Sequence, residues 1–152
     1  MSVSKDDIVA LRERTGAGIM DVRRALQDSD SNMDKAQELL RERGLAKAAK
    51  KGDRVATQGL IEAYVHGGRL GAIIELNCET DFVARTDDFK QLAREIAMQA
   101  AANGADDVDE LRQQSYNRDT SRTISGLITE TAAKVGENVV LRRVTRFELG
   151  AE

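Results

Sequence analysis

Ala72-Ile73-Ile74-Glu75-Leu76-Asn77-Cys78-Glu79-Thr80-Asp81-Phe82-Val83-Ala84-Arg85 carries an apolar strand pattern into a polar connection and out into a helix. Ala72, Ile74, Leu76 and Cys78 alternate with Ile73, Glu75 and Asn77, the period of a strand with two unlike faces. Upstream, Leu60, Glu62, Tyr64 and His66 alternate with Ile61, Ala63 and Val65. Gly67-Gly68 lies between the two runs and predicts a hairpin over residues 59–78 with a two-residue turn. Downstream, Phe89, Leu92, Ala93, Ile96, Ala97 and Ala100 recur at helical spacing, which predicts a helix from Thr86 to Asn103. Residues 106–114 read as a short acidic helix. Ile124, Leu127, Ile128, Thr131 and Val135 mark another helix closed by Gly136, and residues 139–149 read as a third strand. Two adjacent strands, helices and then a strand define an α+β layer, an antiparallel three-stranded sheet with helices packed on one face.

The N-terminal 45 residues have a different rhythm. Ser4 with Asp7 three residues on reads as a helix start. Thr15-Gly16-Ala17-Gly18 breaks that helix, and Ile19, Val22, Ala25 and Leu26 stripe the next. Met33, Ala36, Leu39 and Leu40 stripe a third, with Gly44 expected as its C-terminal cap. This three-helix unit resembles a ubiquitin-associated module. Residues 46–56, rich in Ala and Lys, read as a basic, partly helical linker, and residues 57–152 as the α+β core and dimerisation domain.

Composition narrows the function. Of 152 residues 32% are charged and 41% hydrophobic, with no Pro, which fits a soluble, helix-rich chain. No apolar run reaches the roughly 20 residues of a membrane span, and the N-terminus lacks the order of a signal peptide, so a cytoplasmic location is expected. A net charge of −3 argues against a protein held by nucleic-acid phosphates. The basic linker from Lys47 to Arg54 has no interleaved aromatics to stack bases and reads as a solvated connector. One Cys and one His exclude a Cys/His zinc site within one chain. His66 has no nucleophile at recognisable spacing and reads as a surface residue beside the turn. Cys78 shares its strand face with Ile74 and Leu76 and reads as a buried thiol. Asp106, Asp107, Asp109 and Glu110 sit where acidic side chains favour a helix start. Arg23-Arg24 reads on its own as a solvated helical face. These observations point away from an enzyme and call for no cofactor or metal.

Phe82 stands apart. The chain has three Phe, two Tyr and no Trp, and one of those few aromatics falls in a polar connection. By residue type alone a Phe belongs in the core. On a connecting loop it is a candidate anchor for a partner, since truncating an aromatic anchor can cost roughly 2 kcal/mol or more.

Four segments in order, residues 8–26, 44–51, 74–85 and 134–143, resemble the translation elongation factor Ts family. The resemblance implies a guanine-nucleotide exchange factor that binds elongation factor Tu in its GDP-bound and nucleotide-free forms. It implies that Thr80, Asp81, Phe82 and Val83 enter the GTPase and dislocate its magnesium ion. It implies that Arg12, Ile19, Met20 and Arg23 dock on the GTPase. The family's usual pair at Arg23-Arg24 is Lys-Lys, so charge is kept while hydrogen-bond geometry differs. Longer members carry a second core subdomain and a projecting helical hairpin. This chain has room for one core half, which implies a homodimer built on the core sheet or its last strand. A competing reading is a ubiquitin-associated-like adaptor fused to a dimerisation module, and residues 77–85 separate the two.

Overall fold

The computed structural model describes residues 2–50, 52, 54–105 and 107–151. The Lys51 and Asp53 positions of the expected linker and Asp106 of the acidic cluster lie outside the described residues. Three helices come first: α1 (Lys5–Thr15), α2 (Ile19–Asp28) and α3 (Met33–Lys50). The Ser4 hydroxyl caps α1 by accepting the Asp6 N–H at 3.2 Å. The chain leaves α1 through Gly16 at φ +69°, a left-handed position that favours glycine. Leu11, Val22, Ala25, Leu26, Ala36 and Leu40 are buried together, and they are the helical stripes of the sequence closing on one another.

The core follows: β1 (Gln58–His66), β2 (Leu70–Cys78), α4 (Asp81–Ala84), α5 (Asp87–Asn103), α6 (Val108–Gln113), β3 (Ser115–Tyr116), β4 (Asp119–Thr123), α7 (Ile124–Val135) and β5 (Val140–Glu148). The main sheet runs β1-β2-β5, antiparallel throughout. Ala72, Ile74, Leu76 and Cys78 form its inner face and pack on Phe89, Leu92, Ile96 and Ala100 of α5 and on Ile124 and Leu127 of α7. Fully burying one such Leu, Ile or Phe stabilises the fold by roughly 1.5–3 kcal/mol. The pairing of β2 with β5 shifts register between Glu75 and Leu76. A bulge there bends the strand and turns two successive side chains to one side. Arg142 and Arg143 both pair with Glu75, at 3.8 and 2.8 Å.

Three expectations need correction. Gly67 and Gly68 occupy a tight turn at φ +57° and +69°, with the Arg69 N–H donating to the His66 carbonyl at 3.0 Å. Pairing resumes only with His66 opposite Leu70, so three residues separate the strands. The third helix does not stop at Gly44 but continues to Lys50, taking up the first five residues of the expected linker. Gly44 marks a helix crossing instead: a Cβ there would stand 3.1 Å from Ala133 Cβ on α7. The absent side chain lets α3 approach α7, so the bundle leans directly on the core. The hairpin β3–β4 was not expected. Its polar sequence has no apolar alternation, and it is held by α5: Tyr116 Oη donates to Glu95 at 2.6 Å and Arg118 pairs with the same carboxylate at 2.6 Å. Burial and the Glu95 carboxylate push the Tyr116 phenol upward.

Gly59 has φ +143°, and a Cβ there would meet the Leu76 carbonyl oxygen at 2.0 Å. Only glycine allows β1 to pass that close to β2.

Candidate functional site

Between the end of β2 and the start of α5 the chain makes one helical turn, α4. Thr80 caps it, its hydroxyl oxygen accepting the Val83 N–H at 3.3 Å. Thr86 caps α5 in the same way through the Phe89 N–H at 3.3 Å. Within α4, Ala84 is buried and Val83 packs on the core. Successive helical residues point about 100° apart, so fixing Val83 and Ala84 inward turns Phe82 outward. Phe82 is 83% exposed. Asp81 sits beside it, exposed, in an ion pair with Arg85 at 3.3 Å.

The turn is held from the far end of the sequence. Glu137 follows the C-terminal cap of α7, and its Oε1 accepts the N–H groups of Glu79 at 3.1 Å and Thr80 at 3.0 Å. Its Oε2 accepts the Thr80 hydroxyl at 2.7 Å. Glu79 returns the contact, accepting the Asn138 N–H at 2.8 Å. Cys78 closes the strand end, its thiol donating to the Thr80 carbonyl at 3.1 Å. Burial and the neighbouring Glu137 charge push that thiol up to about 11, so it stays protonated at neutral pH and is a poor nucleophile.

Arg12, Ile19, Met20 and Arg23 are all exposed, Arg12 on α1 and the others on α2. The α1–α2 turn packs on α7: Gly16 lies against the Lys134 side chain. Lys134 in turn pairs with Asp88 in the first turn of α5 at 3.1 Å. These contacts bring the turn leading to Ile19 and Met20 towards the start of α5, which directly follows the α4 turn that carries Phe82. His66 is exposed and shares a 3.0 Å hydrogen bond with Tyr64. Among the described residues no three His, Cys, Asp or Glu side chains group as metal ligands. Among them no helix is long and apolar enough to cross a membrane. Glu137 had no assigned role in the sequence, although its segment was among those that carried the resemblance. Nothing local marks it, because its partners lie 57 and 58 residues away.

Fold and site together define a class: a small α+β protein with an N-terminal three-helix bundle, presenting apolar side chains on a pinned turn and on a helix start. The family model for elongation factor TS matches residues 79–152. Elongation factor Ts of Thermoanaerobacter sp. (strain X514) is 42% identical over 194 aligned residues, covering 97% of this chain and 95% of the relative. That of Desulfitobacterium hafniense is 42% identical, covering 97% and 89%. That of Heliobacterium modesticaldum is 43% identical over 186 residues, covering 92% and 86%. The chain belongs to the elongation factor Ts family, whose members are translation elongation factors. The alignments run longer than the 152 residues of this chain, so the relatives carry segments that it lacks.

Proposed function

We propose that this protein is a guanine-nucleotide exchange factor for elongation factor Tu and acts in the cytoplasm. The observation that carries the reading is the exposure of Phe82 on a turn whose backbone is fixed on both sides. Leaving a Phe in water forgoes roughly 2–3 kcal/mol of burial, a cost that a partner surface recovers. Phe82 enters the GTPase with Val83 at its base, and Asp81 and Thr80 reorder the hydrogen bonding around the partner's magnesium and phosphates. Arg12, Ile19, Met20 and Arg23 dock on the GTPase and supply affinity. Residues 1–45 act as the docking unit and residues 57–152 as the core.

The thermodynamics is reciprocal linkage. A factor that binds nucleotide-free Tu more tightly than GDP-bound Tu is itself weakened by GDP to the same degree. GDP leaves faster because a ternary intermediate is stabilised, and the final GDP/GTP balance follows nucleotide concentrations. Acceleration of fluorescent GDP release from elongation factor Tu at substoichiometric amounts supports this. No acceleration by folded protein refutes it.

The same reading includes a homodimer. Ile61, Val65, Ile73 and Phe147 project from the sheet face opposite the helices and are exposed, Phe147 by 73%. A second copy laid on this face covers them. A mass near one chain by light scattering at working concentration, with roughly 1,200 Å² needed for a stable interface, excludes that part of the reading.

A further inference from the structure

We propose that Glu137 is a positioning residue for the Phe82 turn, holding it in its binding geometry before any partner arrives. The inference rests on the reading of Phe82 given above and extends it to a residue 55 positions away in sequence. A single carboxylate takes three donors from two consecutive residues: the Glu79 N–H, the Thr80 N–H and the Thr80 hydroxyl. Hydrogen bonds to an ionised acceptor are roughly twice as strong as neutral ones. The arrangement is reciprocal, because the Glu79 carboxylate accepts the Asn138 N–H at 2.8 Å. Arg54 stands 3.8 Å from that Glu79 carboxylate and balances the two acidic groups. Asn138 adds a third strand to the knot, its side-chain amide donating to the carbonyls of Gly52 at 3.2 Å and Arg54 at 2.8 Å.

Three distant segments therefore meet at one point: the chain before β1, the Glu79-Thr80 link between β2 and the α4 turn that carries Phe82, and the turn between α7 and β5. The geometry has a consequence for binding. Thr80 both donates to Glu137 and caps α4, so the carboxylate fixes the residue that fixes the turn. A turn ordered in advance spares the complex the entropy of ordering it on contact. Glu137 does not project with Phe82, since its oxygens are engaged by Glu79 and Thr80, and it acts through them.

The test compares Glu137→Ala, Glu137→Gln and Phe82→Ala in the full chain. Two quantities are read: amide hydrogen exchange at residues 79–83 in the free protein, and the dependence of GDP release from elongation factor Tu on factor concentration. Glu137→Ala removes three hydrogen bonds to a charged acceptor and is expected to lower protection at these amides and the maximal release rate each by about tenfold or more. The thermal midpoint and the half-saturating concentration are expected to move little. Glu137→Gln keeps one carbonyl oxygen for the two backbone donors and is expected to restore most of both. Unchanged protection with an unchanged maximal rate overturns the proposal. So does a loss of rate that tracks global unfolding and is not restored by Glu137→Gln. If Phe82→Ala retains full exchange, the reading of Phe82 fails, and amide protection alone then decides whether Glu137 holds the turn.

Discussion

Phe82 and Phe89 lie seven residues apart, and one is 83% exposed while the other is fully buried. Both follow a threonine cap that fixes a helix start, Thr80 for α4 and Thr86 for α5. The difference is what lies on each helix's inner side. The long helix α5 turns Phe89 into the sheet with Leu92, Ile96 and Ala100. The single turn α4 spends Val83 and Ala84 on the core and leaves Phe82 outside. Two identical side chains therefore meet opposite environments, one sealed in the core and the other open to solvent, and neighbouring structure decides which.

Substitutions can break that contrast. The largest effect is expected at Gly59, where a Cβ collides with the Leu76 backbone. Gly59→Val should abolish the paired edge of the sheet, read as loss of soluble, cooperatively folding protein. Phe89→Ala should destabilise by roughly 3–5 kcal/mol, measured by urea unfolding, whereas Phe82→Ala should leave the unfolding midpoint unchanged. Equal losses at the two positions would erase the distinction. Gly44→Leu should push α3 off α7 and cost about 1–3 kcal/mol by overpacking, with the bundle's amides losing more protection than those of α5. Cys78 should react with iodoacetamide at pH 8 about a hundredfold more slowly than a solvated thiol, because its raised value of about 11 leaves little thiolate. The sign carries to stability. A thiol bound more tightly to its proton in the folded state contributes fully below the unfolded value of 9.0 and loses that contribution as pH rises through about 11. A Cys78→Ser variant should therefore show a shallower alkaline loss.

Much of the fold was legible where one face meets one core. The stripes of α2 and α5 and the alternation of β2 announced their buried sides because burial imposes a period. Gly44 was misread because a glycine at a close crossing and a glycine at a helix end look alike along the chain. The hairpin β3–β4 gave no period, being tied down by Glu95 and Gln99 of α5 rather than by apolar packing. At the site, Phe82 was conspicuous as an aromatic in a polar stretch. Glu137 was not, because a carboxylate after a helix-closing glycine acquires its role only when folding brings residues 79 and 80 to it.

The most direct measurement is release of fluorescent GDP from purified elongation factor Tu with this protein and with its Phe82→Ala variant, both verified as folded. Substoichiometric acceleration by the unaltered chain, lost in the variant at unchanged stability, is the predicted result. Full acceleration by the variant would contradict the role assigned to Phe82, and no acceleration by either would contradict the exchange function itself.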